Sequence, residues 1–138
     1  MKILIVFLSI FFLNIANAEV GTIESYYSPS LNHDDDDQKI VHIFLQNNCY
    51  QEVFVATRSE NPNGVWETKG YTRLFPGQIV FNGDMINSIY YLNAFTADYS
   101  VRWEGEHRFE IQGRTVKALL VELPKDYSGN WTTVLYCR

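Results

Sequence analysis

The chain is poor in basic residues, in cysteine and in histidine. Its 138 residues hold 11 Lys and Arg against 16 Asp and Glu, a formal net charge of −5. Nucleic-acid binding needs a basic stripe, so that class of partner is excluded. Two cysteines are too few for a disulfide-dense scaffold. The three histidines, His33, His42 and His107, lack the spacing of metal ligands. There is no P-loop, no dinucleotide fingerprint, no Cys-x-x-Cys, and no G-x-S-x-G frame around Ser128-Gly129. No cofactor and no metal centre is expected. Beyond residue 18 no stretch is apolar enough to cross a membrane. What remains is 46% hydrophobic and 15% aromatic. That composition excludes disorder and collagen, and the length allows one domain.

The N-terminus has the form of a secretory leader. Met1-Lys2 supplies the cationic start, Ile3 to Leu13 the apolar run, and Ala16-Asn17-Ala18 a small-x-small cleavage site. Eleven apolar residues span about 16 Å as a helix, against a hydrocarbon core of about 30 Å. Cleavage before Glu19 is expected, leaving residues 19–138 as a single domain. No Cys follows the cut, so no lipid anchor is expected there. Removal of Lys2 takes the formal charge from −5 to −6. Cys49 and Cys137 both lie in the mature part, and an even pair in an exported chain reads as one disulfide. The bridge closes a loop of about 89 residues and contributes about 4–5 kcal/mol by loop-closure entropy.

No window past the leader keeps helical periodicity. Short β-branched and aromatic runs alternate with Gly, Pro, Asn and Asp. Strands are expected at Val41 to Leu45, Val53 to Thr57, Val65 to Leu74, Ile79 to Phe81, Ile89 to Phe95, Thr115 to Leu123 and Trp131 to Cys137. Asn63-Gly64 suits a positive-φ turn, and Asn82-Gly83 reads as a hairpin turn. From Val101 to Ile111 apolar residues alternate with Arg102, Glu104, Glu106, Arg108 and Glu110. That puts Trp103, His107, Phe109 and Ile111 on one face, with Gly105 marking a bulge or turn. The fold expected is all-β and antiparallel, a sandwich or flattened barrel with one disulfide.

Asn47-Asn48-Cys49, Val53-Phe54-Val55-Ala56, Trp66, Gly70-Tyr71, Leu74-Phe75-Pro76-Gly77, Tyr90-Tyr91 and Trp103-Glu104-Gly105 stand in this order. The set resembles a bacterial family catalogued as a domain of unknown function, number 1036. The family pattern reads N-x-C, V-x-V-A, W, G-W, L-x-P-G, Y-Y and W-x-G. The likeness runs over roughly residues 43 to 109. Tyr71 stands where the family usually has Trp, and Gln78 where a Cys often follows Pro-Gly. The resemblance implies a small secreted β domain and supplies no catalytic residues.

Candidate sites follow from residue type. Asp34, Asp35, Asp36 and Asp37 offer hard oxygens for a cation. Lys39 and Leu45 stand where an EF-hand loop needs Gly and Glu, so the run reads as a solvated acidic loop. Glu104 and Glu106 share a strand face at i, i+2, about 7 Å apart. A general acid–base pair is one reading, and ion pairing with Arg102 and Arg108 is the simpler one. Trp66, Tyr71, Trp103 and Trp131 have rings suited to a sugar face, with Trp103 expected in the core. Asn130-Trp131-Thr132 is a formal glycosylation acceptor, relevant only in a eukaryotic pathway.

The preferred expectation is an exported, non-enzymatic domain that binds a protein or glycan of the cell envelope. Its contacts are placed at Trp66, Tyr71, Asn61, Asn63 and the loop to Gly64. One alternative is a periplasmic inhibitor or immunity protein that blocks a basic wall-degrading enzyme through Asp34 to Asp37, Glu104 and Glu106. A second is a hydrolase using Glu104 and Glu106.

Overall fold

A computed structural model describes residues 18–29 and 39–138. The leader up to residue 17, and the segment 30–38 with His33 and Asp34 to Asp37, lie outside the described residues. Eleven strands are formed and no helix among the described residues: β1 (Glu19–Val20), β2 (Thr22–Pro29), β3 (Val41–Asn47), β4 (Val53–Glu60), β5 (Trp66–Leu74), β6 (Ile79–Met85), β7 (Ile89–Thr96), β8 (Val101–Trp103), β9 (His107–Ile111), β10 (Arg114–Glu122) and β11 (Gly129–Tyr136). The strands start and stop where turn chemistry requires. Gly64 and Gly77 take the left-handed conformation in the loops flanking β5. Gln112-Gly113, both with positive φ, make the two-residue turn between β9 and β10.

The strands form two sheets. The smaller has the order β2-β11-β3-β6. The larger holds β1, β8, β7, β10, β9, β4 and β5. Period-2 alternation sends one face of each sheet inward. Val41, Ile43 and Leu45 of β3 and Trp131 and Leu135 of β11 meet Val53, Val55, Tyr90, Leu92, Ala94, Val101 and Trp103 from the larger sheet. The fold is thus an all-β sandwich, and the one disulfide joins Cys49 to Cys137 with Cα atoms 5.1 Å apart. These cysteines follow the ends of β3 and β11, which lie side by side.

Three expectations are corrected. First, the sheets are mixed rather than antiparallel. β11 pairs antiparallel with β2 and parallel with β3. The C-terminal strand has inserted between two strands that are consecutive in sequence. β1 likewise pairs parallel with β8. Second, Asn82-Gly83 makes no hairpin, because β6 runs straight through it. The register against β3 jumps from Ile43↔Gly83 to Phe44↔Phe81, so Asn82 is the extra residue of a bulge. Gly83 supplies the φ of 125° that the bulge needs. Third, residues 101 to 111 do not keep one face. Val101 and Trp103 enter the core between the sheets. Phe109 and Ile111 instead join Ala56 and Ala118 in a second cluster, with Tyr91 and Val116 packed on it. His107 is exposed, beside the Tyr91 ring.

Candidate functional site

The larger sheet forks. One edge of β7 carries β4 along Tyr91 to Thr96. The other edge is shared, with β10 bonding Ile89 to Leu92 and β8 bonding Ala94 and Phe95. Asn93 stands at the parting. Beyond it, Arg114 to Ala118 of β10 pair with β9 instead. The chain from β8 to β9 must therefore pass against the β10 backbone, and it does so at Gly105. A Cβ on Gly105 would lie 2.7 Å from the Ala118 carbonyl oxygen and 3.2 Å from Leu119 Cα. No other residue type fits that approach.

Between the arms of the fork lies a groove of about 370 Å³. Asn93 and Ala94 lie at the parting, with Arg102 and Glu104 on one bank, Thr115 to Lys117 on the other, and Tyr71, Phe95 and Tyr99 completing the lining. Asn93 is 7% exposed in an otherwise apolar run. Its amide donates to the Lys117 carbonyl at 2.6 Å, and its oxygen accepts from the Tyr71 hydroxyl at 2.5 Å. The side chain thereby satisfies a backbone acceptor left open where the ladder parts.

The aromatic side of the groove is pre-stacked. Phe95 lies parallel to Tyr99 at 4.9 Å and to Phe54 at 5.5 Å, and Tyr71 meets Phe95 edge-on at 5.0 Å. Tyr71 arrives there through a bulge. The β4–β5 register passes from Val55↔Thr72 to Thr57↔Lys69, which sets Gly70 and Tyr71 against Ala56 alone. Tyr99 is 58% exposed, and its backbone is left-handed at φ 61°. The Thr96-to-Ser100 turn holds it so. Tyr99 N–H donates to the Thr96 carbonyl at 2.9 Å. The Asp98 carboxylate accepts from Ser100 N–H, Ser100 Oγ and Thr96 Oγ1 at 3.0, 2.7 and 2.9 Å. The Ser100 and Thr96 bonds bring the Asp98 pKa down to about 2.

The groove's charges are uncommitted. The ion pairs among the described residues are Lys39–Asp126, His42–Asp84 and Arg73–Glu52. Arg102, Glu104 and Lys117 therefore have no opposite charge within 4.0 Å among those residues. The Tyr71 hydroxyl has its pKa raised, mainly by burial and then by the Glu104 charge and Tyr99. It remains a neutral donor at physiological pH.

Of the candidates read from sequence, Tyr71 and Glu104 meet in this groove and the others do not. Glu104 and Glu106 share no strand face, because β8 ends at Trp103 and β9 begins at His107. Glu104 lines the groove, whereas Glu106 is exposed and outside it. Neither glutamate pairs with Arg102 or Arg108. Trp66 is half-buried elsewhere on the sheet, its ring 5.9 Å from Tyr91 and 5.9 Å from the Arg58 guanidinium carbon. Asn61 braces its own turn: its oxygen accepts from Asn63 N–H and Val65 N–H, and its amide donates to Glu67. Asn63 is exposed at the tip of that turn. Trp103 is wholly buried, and Trp131 is buried between Tyr27 and Tyr127. His42 Nδ1–H donates to the Asp84 carboxylate at 2.5 Å on the outer face of the smaller sheet. Among the described residues no three His, Cys, Asp or Glu converge as metal ligands. No helix there is long and apolar enough to cross a membrane.

Asn93, Phe95, Tyr99 and Lys117 are not singled out by sequence, and Arg102 enters there only as an ion-pair partner for the glutamates. One signal was available: Asn93 interrupts the apolar run Ile89 to Phe95. A buried amide in such a run needs partners, and partners imply a local break in the sheet. Comparison of the chain with family models, curated proteins and solved structures finds no match. The resemblance over residues 43 to 109 therefore rests on its ordered motifs alone.

Proposed function

We propose that this chain is an exported, non-enzymatic domain that binds an envelope glycan in the groove at the fork. The observation that carries the reading is the pairing of flat, pre-stacked rings with planar charged groups, Arg102 and Glu104, that have no opposite charge within 4.0 Å among the described residues. The C–H face of a sugar packs on an aromatic ring, and its hydroxyls match carboxylate, guanidinium and amide groups. Tyr99 and Tyr71 offer the rings, and Glu104 and Arg102 the polar edges. Hydrolysis of a glycosidic bond uses two carboxyl groups, and the groove is lined by one, Glu104. Export is supported by the leader and by the Cys49–Cys137 disulfide, which suits an oxidising compartment.

The test is calorimetric titration with soluble peptidoglycan fragments, for the natural protein and for Tyr99→Ala, Trp66→Ala and Asp98→Asn. A stacked ring is worth about 0.5–1.5 kcal/mol beyond its buried area, so Tyr99→Ala is expected to weaken binding by about tenfold. Trp66→Ala should leave it unchanged. Binding that is lost with Trp66 and kept without Tyr99 would move the site to the Asn61 loop. No glycan binding, with a protein captured from envelope extract and released by salt, would replace the reading with the inhibitor one.

A further inference from the structure

We infer that the sugar bound in this groove carries a carboxylate. The inference rests on the glycan reading above and narrows it to acidic saccharides. Its first support is the placement of charge. Arg102 and Lys117 stand on opposite banks, on β8 and β10, with Glu104 beside Arg102 as the one carboxylate of the lining. The chain as a whole carries −5, so an anionic ligand is repelled by most of the surface and drawn to this excess of cations.

The second support is independent of the groove's shape. Lys117 lies directly opposite Arg108 in the β9–β10 ladder. Like charges in that position destabilise a sheet. The acidic neighbours do not relieve it: Glu110 on β9 and Glu104 on the opposite bank both stay beyond 4.0 Å of Lys117 and Arg108, since none of the ion pairs of the described residues involves them. The arrangement keeps cations together where a structural role calls for an acid. An anion bound at Lys117 and Arg102 supplies the missing charge. Its anchor is rigid, because both cations sit on paired strands rather than loops.

A sugar carboxylate fits the remaining features better than a bare inorganic anion. The exposed ring of Tyr99, backed by Phe95, gives an apolar face for the sugar, and Glu104 faces its hydroxyls. Glu104 also disfavours a multiply charged ligand such as a phosphate ester, because each added negative charge meets the carboxylate. A carboxylate accepts two parallel hydrogen bonds from a guanidinium, the geometry Arg102 can offer.

The experiment uses the protein produced from its full coding sequence, with the disulfide intact. Matched probes are titrated: the N-acetylglucosamine–N-acetylmuramic acid disaccharide against N,N′-diacetylchitobiose, and trigalacturonate against its methyl ester. Arg102→Gln, Lys117→Gln, Lys117→Arg and Tyr99→Ala are titrated alongside. The acidic member of at least one pair should bind about tenfold tighter than its neutral partner, as a charge-assisted bond implies. Lys117→Gln and Arg102→Gln should each bring the acidic member down to the affinity of its neutral partner, and Lys117→Arg should keep the preference. Equal binding of acidic and neutral members, with both weakened by Tyr99→Ala, overturns the carboxylate and leaves the glycan reading standing. Absence of binding to all four probes, with no response to Tyr99→Ala, overturns both.

Discussion

Adding one methyl group at Gly21 should unseat the largest side chain of the core. Gly21 is buried, and its N–H donates to the Arg102 carbonyl at 2.9 Å. A Cβ built there falls on the Trp103 ring, onto Cε2, Nε1 and Cδ2. The ring has no room to retreat, since Trp103 is 0% exposed and its Nε1 is bonded to the Thr22 carbonyl at 3.0 Å. Overpacking of this kind costs about 1–3 kcal/mol, and losing the indole hydrogen bond costs about 1 kcal/mol more. Gly21→Ala should therefore destabilise by about 2–4 kcal/mol. Followed by tryptophan emission in urea, with a slope of about 2 kcal/mol per molar, the midpoint should fall by about 1–2 M. Gly70→Ala is the contrast: nothing lies within 4 Å of a Cβ there, and its backbone is not left-handed. It should be neutral or gain up to about 1 kcal/mol by narrowing the unfolded ensemble. Pairing Gly21→Ala with Trp103→Phe should show favourable coupling, because the smaller ring vacates space. A Gly21→Ala variant that unfolds at the natural midpoint would refute the seating of Trp103 under β1 and β2.

Three further outcomes are expected. Reducing the Cys49–Cys137 bond, or replacing both residues by Ala, should cost about 4–5 kcal/mol, read as a lower denaturant midpoint with the far-ultraviolet spectrum of the folded state retained. Tyr90 and Thr133, both wholly buried, share a hydrogen bond between the two sheets, and burial raises the Tyr90 pKa. Tyr90→Phe or Thr133→Val alone should cost about 1–3 kcal/mol by stranding the other hydroxyl, whereas the double variant should recover most of the loss in the same unfolding assay. Asp98 titrates at about 2 in the fold against 3.8 unperturbed. A depressed carboxylate stabilises above its unfolded pKa and loses that stabilisation as pH falls through the folded one. The melting temperature should thus drop between about pH 4 and pH 2 more steeply in the natural protein than in Asp98→Asn.

What was legible in the sequence was what is local. Val41 to Leu45 and Val53 to Thr57 are runs of β-branched and aromatic residues, and both are strands in their expected places. The two cysteines admitted one pairing, and it is made. β2 was not legible, because Thr22 to Pro29 is mostly exposed and has no sharp alternation. Its order comes from pairing with β11, more than a hundred residues away in sequence. Asn82-Gly83 misled for the converse reason. Its turn preference is genuine, but it is met by a bulge, since the ladder to β3 continues on both sides. The Lys69 ammonium bonds the Asn82 carbonyl, and the Asn82 amide donates to Thr57 Oγ1 at 2.9 Å, so the bulge is held from the neighbouring sheet.

The candidate site was half legible by the same logic. Tyr71 and Glu104 stand out as an aromatic and an acid near turn signals, but only the fork brings them together. The fork depends on β7 changing partner at Asn93, a choice between two strands that lie C-terminal to it. No local window holds that information. Once the partner changes, the rest is forced. Glycine is needed at 105, an amide is needed at 93, and the banks must differ, because one strand continues into the sheet and the other folds away with β9. Arg102 is laddered to Phe95 of β7, while Lys117 lies past the parting and is laddered to β9. The parting leaves both at the mouth of one groove, each fixed by its own pairing. Tyr99 alone among the lining rings comes from a turn, and the Asp98 bonds set its backbone before any ligand arrives. The backbone of the groove and the Tyr99 turn are thus ordered in advance, which would lower the entropic cost of the proposed binding. That order is what makes loss of affinity in Tyr99→Ala interpretable as loss of a contact rather than of a fold.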